Sequence, residues 1–356
     1  MYNVLDKSRR RVGNIDEQKI IIPISKCTPG MIILQPIIDK DTGNVLVGGH
    51  QSLSEEVIGR IGKFKHTEIW IKADAEKQLW QVDEKVKVSY KKYITLLREI
   101  IGNKGPVLDI QIEEVENLAK CIVEEFECKF DLLACVNLVK KIDKDIYTHS
   151  MNVTFLALFI GRWIGCHTGL LKNIALAGLL HDIGKMEAEV KIANGAKKKS
   201  AIIQRLEEKR HPIYGYEKLL AFSELDNEVL GAVLAHHERC DGSGYPLHLT
   251  QERIGAIGKI IGLADEYEFL RKDKHIFEVV RVLKNEKVRQ FDKTMLLTFC
   301  TNVINYYIGA SVLLSTDEIA QVAFIQSHAL HRPIVKIGER YINLYKETQI
   351  DILKVF

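Results

Sequence analysis

The 356-residue chain has no uncharged apolar run approaching the roughly 18 residues of a membrane span, so no bilayer-crossing helix is expected. It has almost no excess of either charge: Lys+Arg number 50 against Asp+Glu 47, a formal +3. That balance argues against a protein whose main business is coating nucleic acid, and any anionic ligand must be met by a local cluster of bases. The seven cysteines are odd in number and lack a paired metal-type spacing, which argues against a disulfide framework or zinc ribbon and fits a reducing cytoplasm. Cys121, Cys128 and Cys135 recur every seven residues and read as small apolar residues on one helical face. The opening MYNVLDKSRRRVGNIDEQ lacks the apolar core of a secretory signal. A cytoplasmic protein is expected, with neither DNA nor a membrane as its partner.

The length suits two or three domains. Residues 1–80 read as a small α+β unit: β-branched runs at Ile20–Ile24 and Met31–Ile38, hairpin turn chemistry at Asp41–Asn44, a short helix after Ser52 or Ser54, and a strand at Thr67–Ile71. Residues 81–142 read as a helical connector, with amphipathic faces at Tyr93–Ile101 and Val115–Phe126 separated by the Gly102–Pro106 break. Residues 143–356 begin with helices near Thr148–Ile164 and Leu170–Leu180, the second apolar nearly all round and hence buried. A polar loop is expected at 190–200, helix until about 290, and then short strands at Val312–Leu314, Ile319–Ile325 and Ile334–Ile337. The fold class is mostly α, a helical bundle with a small α+β N-terminal domain and a short C-terminal strand element.

What the middle of the chain has in abundance is metal-ligand residues: His149, His181-Asp182, His211, His236-His237 and Asp265. Singly, each histidine serves as readily as a cap, core or surface residue. As an ordered set on helical pattern they can converge inside a bundle, where imidazole and carboxylate suit iron, manganese or zinc. A buried, unpaired Asp182 would be costly, which favours a ligand role. Lys185, three residues on, can steady a phosphate or protonate a leaving oxygen, a surface lysine being the alternative. His236-His237-Glu238 leads into Asp241-Gly-Ser-Gly-Tyr-Pro246, a tight loop in which backbone can approach a ligand closely. Asp145, four residues before His149, shares its face if helix extends back, and reads either as a ligand to an additional ion or as a helix-start residue.

Residues 143–281 resemble the HD-GYP family of the HD hydrolase superfamily. The resemblance rests on Tyr147-Thr-His-Ser-Met-Asn-Val153, His181-Asp-Ile-Gly-Lys185, His211-Pro212 with Gly215, His236-His-Glu-Arg239, Asp241-Gly-Ser-Gly-Tyr-Pro246 and Ile260-Ile-Gly-Leu-Ala-Asp265 followed by Tyr267. It implies an HD-type bundle holding two or three divalent ions, iron or manganese, that hydrolyses cyclic di-GMP to pGpG, with GMP as a further product. It implies that His149, His181, Asp182 and Asp265 hold one ion and Asp182, His211, His236 and His237 its neighbour, with Asp182 bridging. Asp182 and Lys185 would be catalytic; Asp145 would serve a third ion, as a glutamate does in some members; Gly244, Tyr245, Lys259 and Lys274 would contact substrate. The sequence departs from the family after Asp265, where Lys274-His275-Ile276 replaces the usual Arg-Pro-Tyr, and at Lys259, where arginine is common. Two other functions remain open: a catalytically weak cyclic di-GMP sensor, and an HD phosphohydrolase acting on another cyclic dinucleotide or a nucleotide. A second copy of the chain or a signalling protein is the expected protein partner.

Overall fold

A computed structural model describes residues 19–24, 27, 29, 31, 33, 37–38, 45–47, 53–61, 68–72, 84–101, 110–126, 145–194 and 201–356. The chain divides into two compact units, Met1–Lys77 and Gln78–Phe356. The first contains β1 (Lys19–Pro23), β2 (Ile37–Ile38), β3 (Val45–Val47), helix α1 (Glu55–Ile61) and β4 (Glu68–Lys72). β1 pairs antiparallel with β4, and β2 with β3. Ser54 accepts a hydrogen bond from the Val57 amide at 3.2 Å and so starts α1. Ile24, Ile33, Ile37, Val47, Leu53 and Ile61 are buried. Of the strand expected at Met31–Ile38, only Ile37–Ile38 is strand among the described residues, and the turn at Asp41–Asn44 lies outside them.

The second unit opens with α2 (Glu84–Ile101) and α3 (Ile112–Phe126). Five helices follow: α4 (Ile146–Trp163), α5 (Thr168–Leu180), α6 (Lys185–Asn194), α7 (Ala201–Glu208) and α8 (His211–Leu219). Then come α9 (Asn227–Ala235), α10 (Ala256–Leu270), α11 (Ile276–Arg281), a π-helical turn at Val282–Glu286, and α12 (Lys293–Asn305). Side chains start several of these helices where the sequence changes from polar to apolar: Asp145 caps α4, Asp226 caps α9, and Asp292 caps α12. In α4 every residue from Ser150 to Gly161 is buried, and in α5 every residue from Ile174 to Leu180. With α10, apolar and buried along most of its length, they form the centre of the bundle. Each fully buried aliphatic or aromatic side chain contributes about 1.5–3 kcal/mol, which offsets the cost of the polar residues these helices also carry inward.

The chain closes with an antiparallel five-stranded sheet, β5 (Ser311–Leu314), β6 (Ile319–Phe324), β7 (Ile334–Ile337), β8 (Arg340–Asn343) and β9 (Ile352–Val355), in the order β8-β7-β6-β5-β9. Two of its strands, β8 and β9, go beyond the three the sequence announces. Three other expectations are corrected. Helix does not stop at about 290: Asp292 starts α12, whose Leu296, Phe299, Cys300 and Val303 are buried at helical spacing. α6 runs to Asn194 across the start of the expected loop, whose remainder, 195–200, lies outside the described residues. Cys121 is exposed, because α3 buries Val115, Leu118, Ala119, Ile122 and Val123 instead; Cys128, Cys135 and the Gly102–Pro106 break lie outside the described residues. No described helix is long and apolar enough to cross a membrane.

Candidate metal centre

Five segments far apart in sequence deliver their ligand-type residues to one place. His149 lies one turn into α4; His181 and Asp182 form the tight turn between α5 and α6; His211 is the first residue of α8, ahead of Pro212; His236 and His237 end α9; Asp265 sits midway along α10. Helix ends suit this role because side chains there project past the last packed turn. The ligand atoms of Asp182, His211, His236 and His237 all lie within 4.8 Å of one another, as do those of His149, His181 and Asp265. Asp182 joins the two groups. Its Oδ2 is 3.3 Å from both His149 Nε2 and His181 Nε2, while its Oδ1 is 3.3 Å from His211 Nε2 and 3.7 Å from His236 Nε2.

The donor set fits divalent metal ions. His181, His211 and His236 each direct Nδ1 at the main-chain carbonyl three residues earlier, Gly178, Glu208 and Val233, at 2.8, 2.6 and 2.7 Å. A carbonyl only accepts, so Nδ1 carries the proton and the neutral ring presents a lone pair at Nε2. Yet His211 Nε2 and His236 Nε2 are 3.1 Å apart. Lone pairs facing at such distances repel unless a cation lies among them. Asp182 Oδ1 makes the same point, being buried without a hydrogen-bond partner, a state costing about 1–3 kcal/mol or more for a charged group.

The electrostatics run the same way. Burial pushes His237 down to about 3, and burial together with His237, His181 and His211 holds His236 well below the usual histidine range. Both rings are thus kept neutral, as metal ligation requires. Burial works against charge on Asp182 and Asp265, but the facing imidazoles outweigh it and hold both carboxyls well below their ordinary range. His149 is the exception: despite burial, Asp182, Asp265 and Glu268 raise it well above the usual value.

A loop from α9 to α10 closes one side. Tyr245 stacks on His237, ring centroids 4.6 Å apart, and its amide donates to the His237 carbonyl at 3.2 Å. Glu238, buried, accepts from the Leu247 and Leu249 amides at 2.6 and 2.9 Å, and Asp241 accepts from the Ser243 amide at 3.0 Å. Gly244 makes the fold-back possible: a Cβ there would lie 2.4 Å from Arg239 N and 2.5 Å from the His237 carbonyl oxygen. Gly244→Ala is therefore expected to push the loop off the helix end and lower the thermal midpoint by several degrees, about 1–3 kcal/mol of overpacking. An unchanged midpoint would show that the loop yields freely.

Of the residues expected from sequence to bind metal, seven converge and Asp145 does not. It caps α4, one oxygen accepting from the Thr148 amide at 2.7 Å and the other paired with Arg98, so both oxygens are engaged outside the two ligand groups. Asp145 starts α4 at the edge of the cavity over the cluster. Lys185 and Tyr245 line the cavity of about 480 Å³ over the cluster, and Lys185 pairs with Asp182. Lys259 and Lys274 do not line it; Lys274, in the turn before α11, pairs with Glu278 of that helix at 3.6 Å, while Lys272 and Arg239 stand at the cavity instead. Sequence reasoning missed Glu268, whose Oε2 is 3.0 Å from His149 Nδ1, and Glu266, which binds Arg239 at 2.8 Å and Lys287 at 3.1 Å. The signal for Glu268 was its spacing, three residues after Asp265 on one helical face.

Residues 146–270 match the HD domain family. The chain is 32% identical over 212 residues to a cyclic di-GMP phosphodiesterase of Pseudomonas aeruginosa, an overlap of 58% of this chain and 50% of that protein. It is 28% identical over 195 residues to the cyclic di-GMP phosphodiesterase PdeB of Borreliella burgdorferi, 52% of this chain and 50% of that one. The chain thus spans about half the length of these curated relatives. A solved HDG"Y"P protein of Bdellovibrio bacteriovorus shares the fold, with a TM-score of 0.51 over 80% of this chain and 98% of that one at 16% identity.

Proposed function

We propose that residues 146–270, which match the HD domain family, are of the HD-GYP type and that the chain is a metal-dependent phosphodiesterase that opens cyclic di-GMP to pGpG. One observation carries this reading: the two oxygens of buried Asp182 are divided between two imidazole groups on the floor of a cavity lined by Lys185, Arg239 and Lys272. His211, His236, His237 and Asp182 would hold one ion, and His149, His181, Asp265 and Asp182 the other. Iron or manganese is the expected pair, since imidazole and carboxylate without thiolate suit both. When bound, two such ions activate water and neutralise a phosphodiester.

The remaining work falls to side chains. Lys185 Nζ stands beside Asp182 and is 40% exposed to the cavity, so it can meet a phosphate oxygen or give a proton to the departing ribose oxygen. Arg239, held by Glu266, and Lys272 supply further positive charge where the dinucleotide's phosphates enter. Tyr245, on the His237 ring, forms an aromatic wall. A reducing cytoplasm, where this messenger acts, suits the free thiols of the described cysteines, and a second copy or a signalling protein is the proposed partner.

Protein purified without oxygen and loaded with iron(II) or manganese should convert cyclic di-GMP to pGpG in preference to other cyclic dinucleotides. No product from any member of such a panel would remove the enzymatic reading, and faster turnover of another member would reassign the substrate. The same preparation should hold two ions in both wild type and Asp145→Ala after desalting. A third ion lost on that substitution would reinstate Asp145 as a ligand.

A further inference from the structure

A line of polar contacts runs from α2 to the cluster through otherwise apolar packing. Tyr90, wholly buried on α2, donates its hydroxyl to Asn152 Oδ1 on α4. Asn152 Nδ2 donates to Glu268 Oε1 on α10 at 3.5 Å, the longest and weakest link. Glu268 Oε2 lies 3.0 Å from His149 Nδ1, and His149 Nε2 faces Asp182 and Asp265 at 3.3 and 3.2 Å. Lys272, 3.3 Å from Glu268 Oε2, keeps that carboxylate charged from the cavity side.

The chemistry of these groups gives every link one direction. A phenol hydroxyl donates to an amide oxygen, which leaves the amide nitrogen to donate onward to a carboxylate. An ionised carboxylate only accepts, so His149 must carry its proton on Nδ1, and Nε2 is the atom left for a metal. His149 thereby differs from His181, His211 and His236, whose Nδ1 protons go to main-chain carbonyls of their own turns. Those three rings are oriented locally. His149 alone among these four is oriented from two other helices.

We propose that Tyr90, Asn152 and Glu268 form a relay of positioning residues that sets the tautomer and angle of His149, making one of the two metal positions depend on where α2 sits. This rests on the reading of His149 as a metal ligand. A carboxylate on the far nitrogen of a metal-binding imidazole raises its basicity and fixes its ring, and losing such a partner weakens metal binding about tenfold to a hundredfold. Tyr90 acts through Asn152 on Glu268, so its effect is smaller and exists only while Glu268 is present. α2 is the first described helix after the N-terminal unit in the chain, so a shift of α2 would be read as a change in metal affinity at the His149 position.

The test is titration of the metal-free full chain with Mn2+ against a chromophoric chelator, for wild type, Tyr90→Phe, Glu268→Gln, Glu268→Asp and the Tyr90→Phe/Glu268→Gln pair, with stoichiometry and thermal midpoint alongside. Glu268→Gln should weaken one of two Mn2+ sites at least about tenfold with two ions still bound at saturation. Glu268→Asp should recover part of that loss. Tyr90→Phe should weaken the same site about threefold alone and not at all in the Glu268→Gln background. Wild-type Mn2+ affinity in Glu268→Gln, independent losses in the pair, or a drop to one ion at saturation, which would make Glu268 itself a ligand, each overturns the relay. A wild type that binds two Mn2+ but cleaves no cyclic dinucleotide sinks the proposed reaction and leaves the relay to be judged on affinity; one that binds no Mn2+ sinks both.

Discussion

Asp182→Ala is expected to abolish hydrolysis, lowering turnover by about a thousandfold or more, and to empty both metal positions together. The size follows from the carboxylate's place: each of its oxygens faces a different imidazole group, so one substitution would remove an anionic ligand from both proposed ions. Bound ions are worth several kcal/mol of charge stabilisation in phosphodiester cleavage, and about 4 kcal/mol is a factor of a thousand. His236→Ala is the informative comparison, since His236 belongs to one group only and its loss should spare part of the metal content. The measurements are metal per chain after desalting, turnover, and a thermal melt to show that a cooperative fold persists. More than about a tenth of wild-type turnover in Asp182→Ala, with the fold intact, would remove Asp182 from the chemistry.

Gly184→Ala should be the most damaging single methyl group in the site. A Cβ at Gly184 would stand 2.0 Å from the His211 carbonyl oxygen and 2.5 Å from the Gly215 amide nitrogen, both main-chain atoms of α8. Main chain cannot rotate away as a side-chain tip can, so α8 must shift, and His211, now 3.3 Å from Asp182, shifts with it. The expected cost is about 3 kcal/mol of overpacking, a fall in thermal midpoint of roughly 6–12 °C for a unit of this size, together with weakened metal binding at the His211 group. A midpoint within a degree of wild type would mean that the turn between α5 and α6 has room that its geometry does not show. The same contact explains the glycine in His181-Asp-Ile-Gly-Lys185: it lets two backbones touch where two ligands must meet.

The seven converging residues were legible because their types are rare in apolar helices and fall in order along such helices, most of them at or near the ends. Buried histidine and aspartate need partners, and here the partners could only be one another or an ion. Asp145 was legible as a helix start and as a ligand alike, since its spacing to His149 serves both. Its pairing with Arg98 comes from a helix 47 residues upstream that no local pattern connects to Asp145. Lys274 looked important because it stands where a phosphate-binding arginine would, but after Leu270 the helix ends, and the side chain turns to Glu278 while Lys272 stays at the cavity.

By itself the sequence determined the helical class, the ordered set of metal-ligand residue types and the glycine-rich loop beside them, because periodicity, capping residues and residue types are properties of short segments. Tertiary structure alone decided which carboxylates meet which imidazoles. It assigned one oxygen of Asp182 to each group, set Glu268 against His149 Nδ1, and put Tyr90 at the end of the line leading there. Such pairings join residues about 30 to 120 positions apart, and depend on the relative placement of helices, which packing of their buried faces sets and no local spacing encodes.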